Sequence, residues 1–150
     1  QHNPMHYVGH GAAGIAYQNK DPNTIIKLTR YQSEAKSAYN LMGKDIPCCV
    51  KVFDVHQVAK QGVWQITLER VRPLSEEEIE IFDLFFMYGR KSLSNKHVTE
   101  NYEMSLVKKY FDEYDQLRKC LHTNGVADAD TQGDNLGRKP NGQLCLLDVG

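Results

Sequence analysis

The sequence predicts an α+β fold with a strand-rich first half, a helix-rich second half and a closing hairpin. Three observations lead there. Short runs of β-branched and aromatic residues, bounded by Gly, Pro, Asn and Asp, recur as far as Glu69. Apolar residues recur at steps of three and four over 33–42, a capping box opens a helix at Ser75, and an apolar stripe marks one face of 99–121. Pro140-Asn141-Gly142 precedes the strand-like run Gln143 to Leu147, a strong hairpin signal.

Taken in order, Met5-His6-Tyr7-Val8 and Ile15-Ala16-Tyr17 flank a glycine cluster, and Thr24 to Leu28 follows the turn formers Asp21-Pro22-Asn23. Ser33 to Met42 reads as a helix through Ala35, Ala38, Tyr39 and Met42, with Ser33 as its cap and Gly43 past its end. Val50–Val58 and Val63–Glu69 read as an antiparallel pair. Pro73 breaks that pattern, and Ser75-Glu76-Glu77-Glu78 is a capping-box signature for a helix to about Met87. A longer helix from near Thr99 to Leu121 places Leu106, Val107, Tyr110, Tyr114, Leu117 and Leu121 on one face, a stripe that reads as core.

A chain of 150 residues, 41% hydrophobic and 25% charged, has ordinary globular composition and room for one domain or slightly more. Its net charge of −1 lacks the footprint of a nucleic-acid binder, and no apolar run approaches a membrane span. The opening Gln1-His2-Asn3-Pro4 has neither the basic flank nor the apolar stretch of a secretory signal, and the chain reads as trimmed. Cys48, Cys49, Cys120 and Cys145 show no C-x-x-C spacing and two are vicinal, so reduced thiols in a cytosol are expected. The six histidines show no zinc spacing.

Gly9-His10-Gly11-Ala12-Ala13-Gly14 matches G-x-G-x-x-G, a pattern used in two ways. In a dinucleotide-binding fold the glycines open a helix. Here Ile15-Ala16-Tyr17 continues as strand, which favours a glycine hairpin whose backbone N–H groups approach ATP phosphates. That use calls for a lysine on the next strand and a glutamate on a helix to orient it, and Lys27 and Glu34 supply both. Taken singly, Lys27 reads better as a surface lysine on an edge strand and Glu34 as a solvated helix charge.

With these residues the sequence resembles the protein kinase-like family. Gly9 to Tyr17 is similar to its glycine loop, and Ile25-Ile26-Lys27 to its V-A-I-K element. Asp130-Thr131-Gln132-Gly133-Asp134-Asn135 resembles the D-x-x-x-x-N part of its catalytic loop, and Asp148-Val149-Gly150 its D-F-G. The competing interpretation of Asp128, Asp130 and Asp134 is that they are turn formers. Five motifs in the family's order argue against chance.

The resemblance implies a five-stranded antiparallel N-lobe sheet with one helix over residues 1–72. A truncated helical C-lobe with the catalytic-loop hairpin 128–150 would follow over residues 73–150. It implies an ATP- and Mg²⁺-dependent phosphotransferase, a divergent Ser/Thr kinase of the compact type found in bacteria, phages and delivered effectors. Its place would be the bacterial or host cytosol. Gly9, Gly11 and Gly14 would cover the phosphates; Lys27, oriented by Glu34, would bind them; Asp130 would orient the acceptor hydroxyl; Asn135 and Asp148 would hold Mg²⁺. In the hinge 68–72, the Glu69 carbonyl and Val71 amide would meet the adenine edge beside Leu68, under a roof of Val8, Ala16 and Ile25. The partners implied are ATP and an unidentified protein, with no nucleic acid and no membrane.

Several positions depart from the family pattern. Asp128 and Ala129 stand where His-Arg is usual, Gln132 where Ser/Thr kinases carry lysine, and Gly137 where a bulky apolar residue is common. Glu34 follows Lys27 by only seven positions, a stretch that spans about 23 Å when extended. A pseudokinase or nucleotide-binding interaction module, and a small-molecule kinase, stay open as alternatives. The sequence ends at Gly150, so the expectation is a kinase-like domain cut short at both ends.

Overall fold

The computed structural model describes residues 7–11, 14–58 and 62–147. Strands β1 (Tyr7–Gly11), β2 (Gly14–Gln18), β3 (Thr24–Thr29), β4 (Val52–Gln57) and β5 (Trp64–Glu69) form the first half. They pair antiparallel in the order β1-β2-β3-β5-β4, which puts β3 at the centre. Opposite residues of an antiparallel pair share a face, so the register fixes which side chains meet. Gly9, Ala16, Lys27 and Ile66 lie in one row across four strands, and Ile25, Leu68 and Val52 in the next.

Helix α1 (Gln32–Leu41) covers this sheet, with Ala35 and Leu41 buried. It begins one residue before the expected start, and the cap is Tyr31, not Ser33. The entry is set from the strand, because Thr29 Oγ1 accepts the Tyr31 N–H at 3.1 Å.

The second half starts at β6 (Arg72–Pro73), a short strand that the sequence pattern does not announce. Proline is tolerated there because β6 is the edge of a small sheet ordered β6-β7-β8, with β7 (Leu136–Arg138) and β8 (Leu144–Leu146). Helix α2 (Glu76–Tyr88) carries the expected capping box: Ser75 Oγ accepts the Glu78 N–H at 3.1 Å, and Glu78 Oε1 accepts the Ser75 N–H at 3.0 Å. The single helix expected from Thr99 to Leu121 is instead two, α3 (Lys96–Asn101) and α4 (Met104–Thr123). The backbone is extended at Tyr102 and Glu103, and His97 of α3 meets the Glu80 carboxylate of α2 at 2.8 Å. No Gly or Pro marks this break.

Helix α4 buries Val107, Phe111, Tyr114, Leu117 and Leu121 at steps of three and four. Leu106 and Tyr110 of the expected stripe lie partly exposed beside them, and Phe111 joins the core in their stead. Ile81, Phe82 and Phe85 of α2 are fully buried against this face, with the Phe85 and Phe111 rings edge to face at 5.2 Å. Each such side chain contributes roughly 1.5–3 kcal/mol. One buried cluster runs from Ile25, Val52 and Leu68 of the sheet through Phe82 and Leu121 to Leu136 and Leu146 of the hairpin. The hairpin turns at Gly142, whose φ of 88° suits glycine, and its N–H donates to the Lys139 carbonyl at 2.8 Å. No helix among the described residues is long and apolar enough to cross a membrane.

The expectation of four reduced thiols is corrected by the fold. Cys48 and Cys120 form a disulfide across 6.1 Å between Cα atoms, joining the α1–β4 connection to α4. Seventy-two positions separate them in sequence, so local spacing carries no trace of the pair, and the thiol argument for a reducing compartment falls with it. Cys49 and Cys145 remain free and buried; burial pushes their thiols up to about 11 and about 12 despite nearby Lys139. A loop of this length implies that reducing Cys48–Cys120 costs about 2–4 kcal/mol. Urea unfolding with and without a thiol reductant should show the reduced midpoint clearly lower; coincident midpoints would mean the bridge adds nothing.

Candidate functional site

A lysine in the middle strand of a sheet is costly to bury unless its charge is met. Lys27 is nine-tenths buried on β3, and the carboxylate that meets it is Glu34, in the first turn of α1 and equally buried. The short link between them is sufficient because β3 ends at Thr29 and α1 starts at Gln32. Thr29 orients the pair: its hydroxyl donates to Glu34 Oε2 at 3.2 Å. Thr29 belongs to none of the sequence motifs, although its place two residues after Lys27 puts it on the same strand face.

The register brings the glycine hairpin to this pair. Gly9 lies opposite Ala16 and Gly11 opposite Gly14, while Ala16 lies opposite Lys27. Ala16 is half-buried and Ile25 buried. Val8 lies on β1, and the side chains of residues 7–15 fall outside the description, as do Ala12 and Ala13 entirely. Behind the ion pair, Ala38 and Leu41 of α1 face Leu68 and Leu147 around a cavity of about 20 Å³. That is space for one water and not for a base, so α1 is packed closely onto the sheet.

At the expected hinge, Leu68 is buried at the end of β5. The Glu69 side chain is structural: Oε1 accepts the Lys51 N–H at 2.8 Å and lies 2.9 Å from Lys139 Nζ of the hairpin. The Arg70 N–H donates to the Asn23 carbonyl at 2.8 Å, and the next N–H, that of Val71, has no partner among the described residues. Gly137 fills the close approach between β6 and β7. A Cβ there would come within 2.9 Å of the Arg72 carbonyl oxygen and 3.1 Å of Leu147 Cδ2. Leu147 thus stands beside the place where a bulkier residue would project.

Asp130 and Asn135 come together in one loop. Asp130 is exposed; its Oδ1 accepts the Gln132 N–H at 3.0 Å, and its carbonyl accepts Asn135 Nδ2 at 3.2 Å. A tight turn over Gly133–Asn135 follows. Because the amide nitrogen of Asn135 is tied to the loop, its Oδ1 is the end left for a cation, and a hard oxygen donor suits Mg²⁺. Asp148, the other expected ligand, lies outside the described residues together with Val149 and Gly150. Among the described residues no three His, Cys, Asp or Glu side chains gather as a metal cage; the expected ligand pair is of a different kind, an amide and one carboxylate.

Leu147 joins the two groups. Its side chain lines the cavity with Lys27 and Glu34, and its N–H donates to the Asn135 carbonyl at 2.8 Å. The lysine–glutamate pair, the Asp130–Asn135 loop and the residue preceding Asp148 are therefore neighbours in the fold. No family model matches the chain, and no curated protein matches it.

Proposed function

We propose that this chain is an ATP- and Mg²⁺-dependent phosphotransferase of protein kinase-like fold, and specifically a divergent Ser/Thr kinase. The observation that carries this reading is the buried Lys27–Glu34 pair beside the glycine hairpin, joined through Leu147 to the Asp130–Asn135 loop. A buried ammonium held by a carboxylate and bordered by a glycine-edged row is suited to a polyphosphate, whose oxygens need fixed positive charge and backbone N–H donors.

In this reading the backbone of Gly9, Gly11 and Gly14 lies over the phosphates and the Lys27 ammonium meets the α and β groups. The Val71 N–H faces the adenine edge. The acceptor hydroxyl approaches Asp130. As its oxygen bonds to the γ-phosphorus, the bond from that phosphorus to the bridging oxygen breaks, ADP leaves with the electron pair, and the hydroxyl proton passes to the Asp130 carboxylate. Asn135 and Asp148 would hold Mg²⁺, which when bound would supply positive charge to the phosphates.

A second reading, a nucleotide-binding module without turnover, draws on one observation. Gln132 contacts both Asp130 carboxylate oxygens, by its N–H at 3.0 Å and by Nε2 at 3.5 Å, and so competes with an acceptor hydroxyl. Thermal melting with ATP and Mg²⁺, paired with phosphate transfer from γ-labelled ATP, separates them. A melting shift of several degrees with transfer is the expected outcome; a shift without transfer favours the module, and no shift removes both.

A further inference from the structure

With Asp128 and Ala129 before Asp130, the loop must be seated by other contacts, and the helices supply two. Tyr114 of α4 and Thr131 are both buried, and their hydroxyls meet at 2.9 Å. Two residues on, buried Gly133 lies directly on α2: a Cβ there would come within 2.8 Å of both Ile79 Cα and the Ile79 carbonyl oxygen. One helical turn further along that face, Asp83 Oδ1 accepts the Gly133 N–H at 2.7 Å. A carboxylate accepting a backbone N–H makes a short, strong bond. Here it fixes the first residue of the turn that ends at Asn135, whose amide in turn holds the Asp130 carbonyl.

We propose that Asp83 is a positioning residue for phosphate transfer, holding the 130–135 loop so that the Asp130 carboxylate and Asn135 Oδ1 keep a fixed separation. This rests on the phosphotransferase reading. Asp83 acts through the loop, so its loss spreads the geometry of the reacting groups without removing any of them. Glycine at 133 and aspartate at 83 form one device, since only a residue without a Cβ lets the backbone come close enough to α2 for its N–H to reach the carboxylate.

The test compares wild type with Asp83→Ala and Asp83→Asn, well below their melting temperatures. The probe is ATP with Mg²⁺, and transfer is summed over phosphate released to water and phosphate incorporated into the chain. Asp83→Ala should lower kcat at least tenfold with KM for ATP changed less than threefold, and should raise the Mg²⁺ concentration for half-maximal rate. Hydrogen exchange of the Gly133 amide should accelerate at least tenfold, a readout independent of activity. Asparagine keeps an acceptor oxygen and should recover at least half of the lost rate, and it stands in should the alanine variant not fold. An unchanged kcat and Gly133 exchange in Asp83→Ala, or an asparagine variant no better than alanine, overturns the assignment of Asp83 alone. Absence of transfer by wild type overturns the phosphotransferase reading and this inference with it.

Discussion

Arg138→Met is expected to destabilise the fold by about 3–5 kcal/mol, a larger loss than reduction of the Cys48–Cys120 disulfide brings. Arg138 sits in β7 with its side chain nine-tenths buried, and its guanidinium serves three elements. Nε donates to Glu78 Oε2 of α2 at 2.9 Å, Nη1 and Nη2 donate to the two carboxylate oxygens of Glu113 on α4 at 2.6 and 3.1 Å, and Nη1 also meets the Gly142 carbonyl at 2.9 Å. The Tyr110 ring lies 5.8 Å from the guanidinium carbon. Methionine fills much of the volume, leaves the buried Glu78 carboxylate with the Ser75 N–H and Arg72 at 3.7 Å, and takes the bidentate partner from the partly exposed Glu113.

The cost comes from taking the guanidinium away from both carboxylates, so Arg138→Met combined with Glu78→Gln and Glu113→Gln should recover part of it. Chemical denaturation of the single and triple variants reads this directly; a single variant as stable as wild type would mean the cluster is solvated. Acid should mimic part of the effect. Burial alone would push the Glu78 carboxyl up, but the Ser75 N–H and Arg138 outweigh it and hold the carboxyl below its usual range. Its stabilisation is therefore present above the ordinary carboxylate pKa and is lost as pH falls through the lowered value.

Contacts between near neighbours in the sequence are legible in it. Alternation and turn formers mark the five strands of the sheet, Ser75 and Glu78 mark the start of α2, and Asn141-Gly142 marks the final turn. Lys27 and Glu34 stand out only through their order after the glycine cluster, since each taken alone reads as a surface charge. Other contacts leave no local mark. Asp83 meets Gly133 fifty positions away, and Cys48 meets Cys120 seventy-two away. Nothing in a single pattern distinguishes those residues from any helical aspartate or isolated cysteine. The division of the 99–121 segment is hidden for a different reason: its apolar spacing continues across Tyr102, and no Gly or Pro marks the extended backbone there. Edge position likewise decides the status of Pro73, and sequence alone does not reveal which strand lies at an edge.

The second large effect concerns activity. Lys27→Ala should lower γ-phosphate transfer by about 10²–10³-fold, the magnitude typical of removing one preorganised electrostatic group from a reacting centre. It also leaves Glu34 buried without its cation, so the melting temperature should fall as well. Asp130→Asn separates these effects. Its side chain is exposed, so the fold should be kept while the proposed proton acceptor is lost, and transfer should fall by about 10²–10⁴-fold with nucleotide binding retained.

Transfer from γ-labelled ATP, measured side by side for folded wild type, Lys27→Ala and Asp130→Asn with Mg²⁺, is the most direct test of the central claim. Wild-type transfer lost in both variants, with ATP binding weakened only by Lys27→Ala, is the predicted result. Transfer at the wild-type rate in both folded variants would contradict it.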